Sequence, residues 1–216
     1  MAASRAARNV GPRDLVEDAV ALDLMEFLTR HGDSQLLLVR IPEGDTELEL
    51  GLSATPSDTA GGTPAFPFRT GLQAPPRAWR SESEKVRRED PAALRQLIEK
   101  HACFAVPVRK RADSDALFMA RISIGRARNK DIVMRHSSIS KFHAWFEADE
   151  SENLHVFDAG STNLTHLNGQ PLQPRARTAV EPGDALRFGA IETVLCSPGV
   201  FWASLREDKS GGTAAV

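Results

Sequence analysis

Between Cys103 and Leu205 the chain breaks into short apolar runs that no helical period joins: CFAVPV, LFMARISI, DIVM, HAWFEA, LHVFD, THLNG, ALRFG, IETVLC and FWASL. Turn signals separate them, among them Asn168-Gly169, Pro182-Gly183-Asp184 and Ser197-Pro198-Gly199. Runs this short cannot bury a helix face, whereas paired strands of that length bury one face each. The pattern predicts a mainly β fold over this region, a β-sandwich of two sheets, with FWASL as its last strand.

The first half reads differently. From Asp14 one helix is predicted, with Leu15, Val16, Ala19, Val20, Leu24, Phe27 and Leu28 on its apolar side. Asp14 serves as N-cap with Glu17 three residues on, and Gly32 stands at the C′ position. LLLVRI (36–41) and TELEL (46–50), joined by the turn PEGD, are predicted to form a hairpin. The stretch 51–80 is rich in Pro, Gly, Ser and Thr and keeps no period. Asp90-Pro91 then opens a helix to Lys100, with Asp at the N-cap and Pro at N1. The organisation expected is a helix plus hairpin at 1–50, a flexible Pro/Gly/Thr-rich linker at 51–89, the sandwich with its leading helix at 90–206, and a disordered tail at 207–216.

Charge narrows the partners. Lys+Arg number 27 against Asp+Glu 29, a net charge of -2, so no global positive excess points to nucleic acid or an anionic membrane. The basic tract Arg109, Lys110, Arg111, Arg121, Arg126, Arg128 and Lys130 reads as a solvated face biased toward acidic or phosphorylated partners. It lacks the interleaved aromatics that single-stranded nucleic acid requires. No run approaches the roughly 20 apolar residues of a membrane span, and MAASRAARNVGPRD lacks the apolar core of a secretory signal. Cys103 and Cys196 lie in apolar runs and read as buried free thiols of a reducing compartment, so a cytoplasmic location is expected. His136, His143, His155 and His166 have no zinc-type spacing, and neither metal nor cofactor is expected.

One stretch needs a separate explanation. SSISKFHAWF puts Ser140, Lys141 and His143 at the entrance of an apolar strand, where a buried polar group needs a partner or a solvent route. Together with ISIGRARNKDIVM, HVFDAGSTNLTHLNGQPL and VEPGDALRFG, this stretch resembles the forkhead-associated (FHA) domain, over about residues 101–205. The resemblance implies a two-sheet sandwich that binds phosphothreonine peptides through loops at one end.

The chemistry is consistent with that implication. A phosphothreonine carries about −1.5 to −2 charges and three acceptor oxygens. Arg126, after Gly125 at a strand end, offers a permanently charged fork that can donate two parallel hydrogen bonds. By resemblance Arg126 contacts the peptide, Ser140 addresses the phosphate and Lys141 adds a basic contact. Asn163 reaches the peptide main chain, with Thr162 in the same pocket. Gly125 and His143 support the site, the histidine by fixing the Ser140 loop. Leu164 departs from the family pattern, which has glycine there; at φ > 0 a leucine is strained, which bears on the aim of Asn163. Asn168-Gly169 reads as a type I′ hairpin turn.

The function implied is a phosphothreonine-peptide binding module, without enzymatic activity, acting as an adaptor in serine/threonine-kinase signalling. Its partner would be a threonine-phosphorylated protein, a kinase or a kinase substrate. The alternative is a phosphate-independent scaffold that uses another face. An enzyme reading rests only on Ser140 and His143, with no Gly-x-Ser-x-Gly elbow and no third residue to orient a base. Thr55, Thr59 and Thr63 in the linker, two of them before proline, would on phosphorylation make it a ligand of the same site in cis, or of a second copy.

Overall fold

The computed structural model describes residues 12–40, 48–50, 90–101, 103–111 and 120–206. Its helices are α1 (Pro12–Ala21), α2 (Leu24–His31), α3 (Pro91–Lys100) and α4 (Pro198–Ser204). Its strands are β1 (Leu36–Arg40), β2 (Glu49–Leu50), β3 (Cys103–Pro107), β4 (Ile122–Gly125), β5 (Ile132–Arg135) and β6 (Ala144–Ala148). They continue with β7 (Leu154–Asp158), β8 (Thr165–Leu167), β9 (Gln170–Pro171), β10 (Thr178–Ala179), β11 (Ala185–Phe188) and β12 (Ile191–Cys196).

The expected two-sheet, mainly β architecture is what forms. One sheet runs β3-β1-β12-β11-β8-β9 and the other β10-β7-β6-β4-β5-β2. Between them lies a core that includes Leu37, Val39, Ile124, Met134, Phe146, Val156, Phe188 and Leu195. A second core, with Leu15, Phe27, Leu36, Leu38, Leu94, Val194, Cys196 and Phe201, fills the space between the outer face of the first sheet and the helices. β1 and β12 are therefore covered on both faces, which explains why LLLV and IETVLC are buried without alternation.

Four local expectations are corrected. The N-terminal helix is two helices. Asp23 accepts from Glu26 N–H at 2.9 Å while its own N–H donates to the Glu26 carboxylate, so a reciprocal capping box restarts the chain at Leu24. The helix capped by Asp14 is absent, since Asp14 lies inside α1; Gly32 does cap α2, at φ 82. Among the described residues of LLLVRI and TELEL, β1 and β2 do not pair with each other. β1 pairs with β3 and β12, and β2 with β5 in the opposite sheet, because burial on both faces favours a central place for β1. FWASL is helical: Ser197 accepts from Val200 N–H and Pro198 occupies the first turn, the same Asx/Ser-Pro start that Asp90-Pro91 uses. β9 and β10, for which the sequence carried no expectation, are two-residue strands too short to show a period.

α4 is fastened by side chains from far along the chain. Arg95 Nε donates to Ser204 O at 2.8 Å, and Trp202 Nε1 to Leu22 O at 3.0 Å. Arg206 donates to the Ala19 and Leu22 carbonyls. Both cysteines are free thiols, Cys196 buried and Cys103 half-buried, and burial pushes each up to about 12. Among the described residues no helix is long and apolar enough to cross a membrane. The linker 51–89 with Thr55, Thr59 and Thr63, and the tail 207–216, lie outside the described residues.

Candidate functional site

Three loops are tied to one another beside the ends of β4, β6 and β7. The first begins at Arg126, whose N–H donates to Ser140 O at 3.0 Å, and Ala127 N–H donates to Lys141 O at 3.3 Å. Gly125 permits that approach. A Cβ built on it would stand 2.3 Å from Lys141 O and 3.1 Å from Phe142 Cα, against backbone that cannot yield cheaply. Gly125 is thus a matter of space, since its φ is not positive.

The second loop, 136–143, is held from below by a histidine. His143 has no solvent exposure. Its Nδ1 accepts from Ser140 N–H at 3.1 Å, which leaves the proton on Nε2 to be donated to Leu164 O at 3.3 Å. Burial pushes its pKa down to about 4, against the opposing pull of Asp158 and the Leu164 carbonyl. Neither ring nitrogen bonds Ser140 Oγ, which instead accepts from Thr162 N–H at 3.2 Å. The ring is engaged with backbone on both sides and no nucleophile–base pair exists here.

The third loop, 159–164, hangs on a carboxylate. Asp158 Oδ1 accepts from Gly160 and Ser161 N–H, and Oδ2 accepts from Ser161 Oγ, Thr165 N–H and Thr165 Oγ1, all at 2.7–2.9 Å. Burial works against its charge, but the hydrogen bonds from Ser161, Thr165 and Gly160 outweigh it and its pKa lies below the usual carboxylate value. Leu164 keeps the left-handed conformation of a glycine, φ 57, and its carbonyl also accepts from Gly189 N–H at 3.1 Å. Asn163 Nδ2 donates to Ser138 O at 2.9 Å, so its amide nitrogen joins the second and third loops. Its Oδ1 makes no hydrogen bond among the described residues.

All seven residues singled out in the sequence therefore meet in one place through their backbones or immediate partners, with Gly125 and His143 beneath and Ser140, Lys141, Thr162 and Asn163 nearer solvent. Sequence reasoning missed three supports. Asp158 could have been seen as an Asp two and three residues before Gly160-Ser161, the signature of an Asx turn. Ser138 accepts from Ala190 N–H, and Gly189 at φ 57 would set a Cβ 2.5 Å from Ser138 O. Those two contacts join positions about fifty residues apart, and no local pattern marks them.

The rim carries charge without counter-charge. Arg126 is half-buried, its Nε is shielded from water, and its guanidinium has no hydrogen-bond partner among the described residues. Lys141 and Arg128 are exposed and likewise make no side-chain hydrogen bond among the described residues. Ser140 Oγ, with one lone pair used, still has its proton to donate. Such an arrangement has the charge and the hydrogen-bond donors that suit an anion.

The family model of the FHA domain matches residues 122–189. This segment is similar to FHA domains. Solved FHA domains resemble the chain at low identity. One comes from an analysis of phosphothreonine-dependent FHA interactions, 22% identical over 43% of this chain and 82% of its own, TM-score 0.35. Another is the FHA domain of an Arabidopsis thaliana protein, 25% identical over 43% and 73%, TM-score 0.36. A third is the MEK1 FHA domain in complex with a phosphothreonine peptide of HOP1, 23% identical over 43% and 87%, TM-score 0.34. Curated proteins give no match. The FHA segment does not hold a complete first sheet: β1, β3 and β12 lie outside it and supply the half on which the helices pack.

Proposed function

We propose that the rim binds phosphothreonine peptides and that the protein acts as a non-enzymatic adaptor in serine/threonine-kinase signalling, recognising a threonine-phosphorylated protein. The observation that carries this reading is the Arg126 guanidinium, without a hydrogen-bond partner among the described residues and with its Nε shielded from water. The backbone N–H of the same residue is bonded to Ser140 O, while the Ser140 hydroxyl is held by Thr162 N–H. A buried charge without a partner is costly, and a bound phosphate offsets that cost. Lys141 and Arg128 add charge, Thr162 sits beside Ser140, and Asn163 Oδ1 is open to a peptide N–H.

Three charge-assisted hydrogen bonds at about 1.5–3 kcal/mol each give roughly 5–9 kcal/mol gross. Association offsets much of this, so micromolar affinity is expected. Leu164, the departure from the family pattern, keeps the left-handed turn of a glycine and so does not favour a phosphate-independent scaffold over this reading. The test is titration with a threonine-phosphorylated peptide library and its unphosphorylated counterpart. Phosphate-dependent binding is expected, lost in Arg126→Ala with the melting temperature unchanged. Equal binding of both libraries refutes the reading.

A further inference from the structure

The outer face of the second sheet is not an ordinary solvated face. Outward positions of such sheets are usually polar. Here Ala144, Phe146 and Val156 face the core, which turns their neighbours Trp145 and Phe157 outward, directly opposite each other. Their rings stack at 4.9 Å and 3°. Phe142, from the loop that carries Ser140 and Lys141, stacks on Trp145 at 5.7 Å and remains 40% exposed. With Arg121, Glu147, Ala159 and Arg175 these rings line a cleft of about 480 Å³.

The charges of the cleft do not balance. Glu147 Oε1 accepts from Arg121 Nε at 2.6 Å and from Trp145 Nε1 at 3.0 Å, so its charge is committed to Arg121. Arg175 is exposed and its side chain makes no hydrogen bond among the described residues. Lys130 Nζ lies 5.0 Å over the Phe142 ring. The excess is positive and the floor is aromatic.

The cleft also runs into the rim. Phe142 follows Lys141, and Ala159 opens the loop of Thr162 and Asn163, its N–H donating to His143 O at 2.9 Å. Lys141 and Trp145 are four residues apart, so at most about 14 Å separates them, a distance that about four extended peptide residues span.

We propose that this cleft binds a second segment of the same phosphorylated partner, an aromatic side chain with carboxylates beside it, roughly four to six residues from the phosphothreonine. The proposal rests on the phosphothreonine reading above. Trp145 stacks on both Phe157 and Phe142, and Lys130 Nζ lies over the Phe142 ring, so these rings already face one another or a cation and do not offer the successive free faces that a single-stranded nucleic acid needs. Two linked contacts convert the second into an intramolecular one, so the flank raises affinity without altering the phosphate grip.

The test uses the full chain and fluorescence anisotropy with three synthetic phosphothreonine peptides: a short one, and two extended by Glu-Phe-Asp through a short spacer at the N- or the C-terminal side. One extended peptide is expected to bind about tenfold tighter than the short one, and Phe142→Ala and Arg175→Glu each to abolish the difference. Equal affinity of all three peptides, or a gain that survives both substitutions, overturns the cleft and leaves the phosphate reading standing. Short-peptide binding that does not depend on phosphate overturns both. An oligothymidylate that binds in a Phe142-dependent manner overturns the proposal in favour of nucleic acid.

Discussion

His143 makes the stability of this protein depend on pH in a way that can be worked out. The ring has no solvent exposure, and burial sets its pKa near 4 against 6.5 for an unperturbed histidine. The unfolded chain therefore binds a proton that the folded protein refuses. The neutral ring's contribution is complete above about pH 6.5 and is lost as pH falls toward 4. With these two values the loss is about 2 kcal/mol between about pH 7 and about pH 5, and about 3 kcal/mol by about pH 4. That is a large fraction of an ordinary domain's stability of about 5–15 kcal/mol. His31, also pushed down by burial, adds to the same slope, while Glu192, pushed up by burial, acts in the opposite sense. The informative quantity is thus the difference between the wild type and His143→Gln. Urea unfolding at the two pH values, followed by tryptophan fluorescence, should show the wild type losing about 2 kcal/mol more than the variant. At neutral pH the variant itself should be weaker by about 1–3 kcal/mol, chiefly through Ser140 N–H, since Leu164 O keeps Gly189 N–H as a second donor. An identical pH slope in both proteins refutes the argument that the ring is held neutral.

Three further outcomes follow from the same loops. Leu164→Gly should raise stability by about 0.5–1 kcal/mol, because relief at φ 57 exceeds the added chain entropy; a lower urea midpoint would mean that the leucine's packing outweighs its strain. Gly125→Ala, with its Cβ 2.3 Å from Lys141 O, should displace the Ser140-Lys141 loop and lower both the melting temperature and phosphothreonine affinity, whereas Gly199→Ala, which meets nothing, should change neither. Asp158→Asn should cost about 3 kcal/mol in chemical denaturation, since an amide must turn a donor toward a ring of donors.

The two-sheet core was legible because its signal is local: short apolar runs such as AWFEA and LHVFD, separated by turns such as Asn168-Gly169 with φ 51 and 82. What failed depended on partners distant in sequence. LLLVR looks like the first arm of a hairpin until β3 and β12, far downstream, take both its edges. The Asp23 capping box and the Ser197-Pro198 start are local and readable; they were outvoted by a longer apolar stripe and by the run of strands around them. At the site, residue types that bear charge or a hydroxyl at strand ends were visible. The contacts of Ser138 with Ala190 and with Asn163, and the steric role of Gly189, join separate segments and leave no periodic trace.

The polar groups of the rim fall into two sets with opposite requirements. Those beneath it are saturated: Asp158 collects five donors, both nitrogens of His143 meet backbone, and Ser138 takes Ala190 and Asn163. Such a network rigidifies loops because every alternative position would leave a buried group unpaired. Those near the surface, Arg126, Lys141 and Arg128, make no side-chain hydrogen bond among the described residues. A protein selected for stability alone would pair these cations or do without them. Fastening the loops from below lets the cations stay unpaired without letting the loops move, and under the proposed function an incoming phosphate would meet donors that need not be ordered first. The same logic explains a neutral His143: a protonated ring would turn Nδ1 from acceptor into donor, facing Ser140 N–H, and loosen the one loop that carries both Ser140 and Lys141.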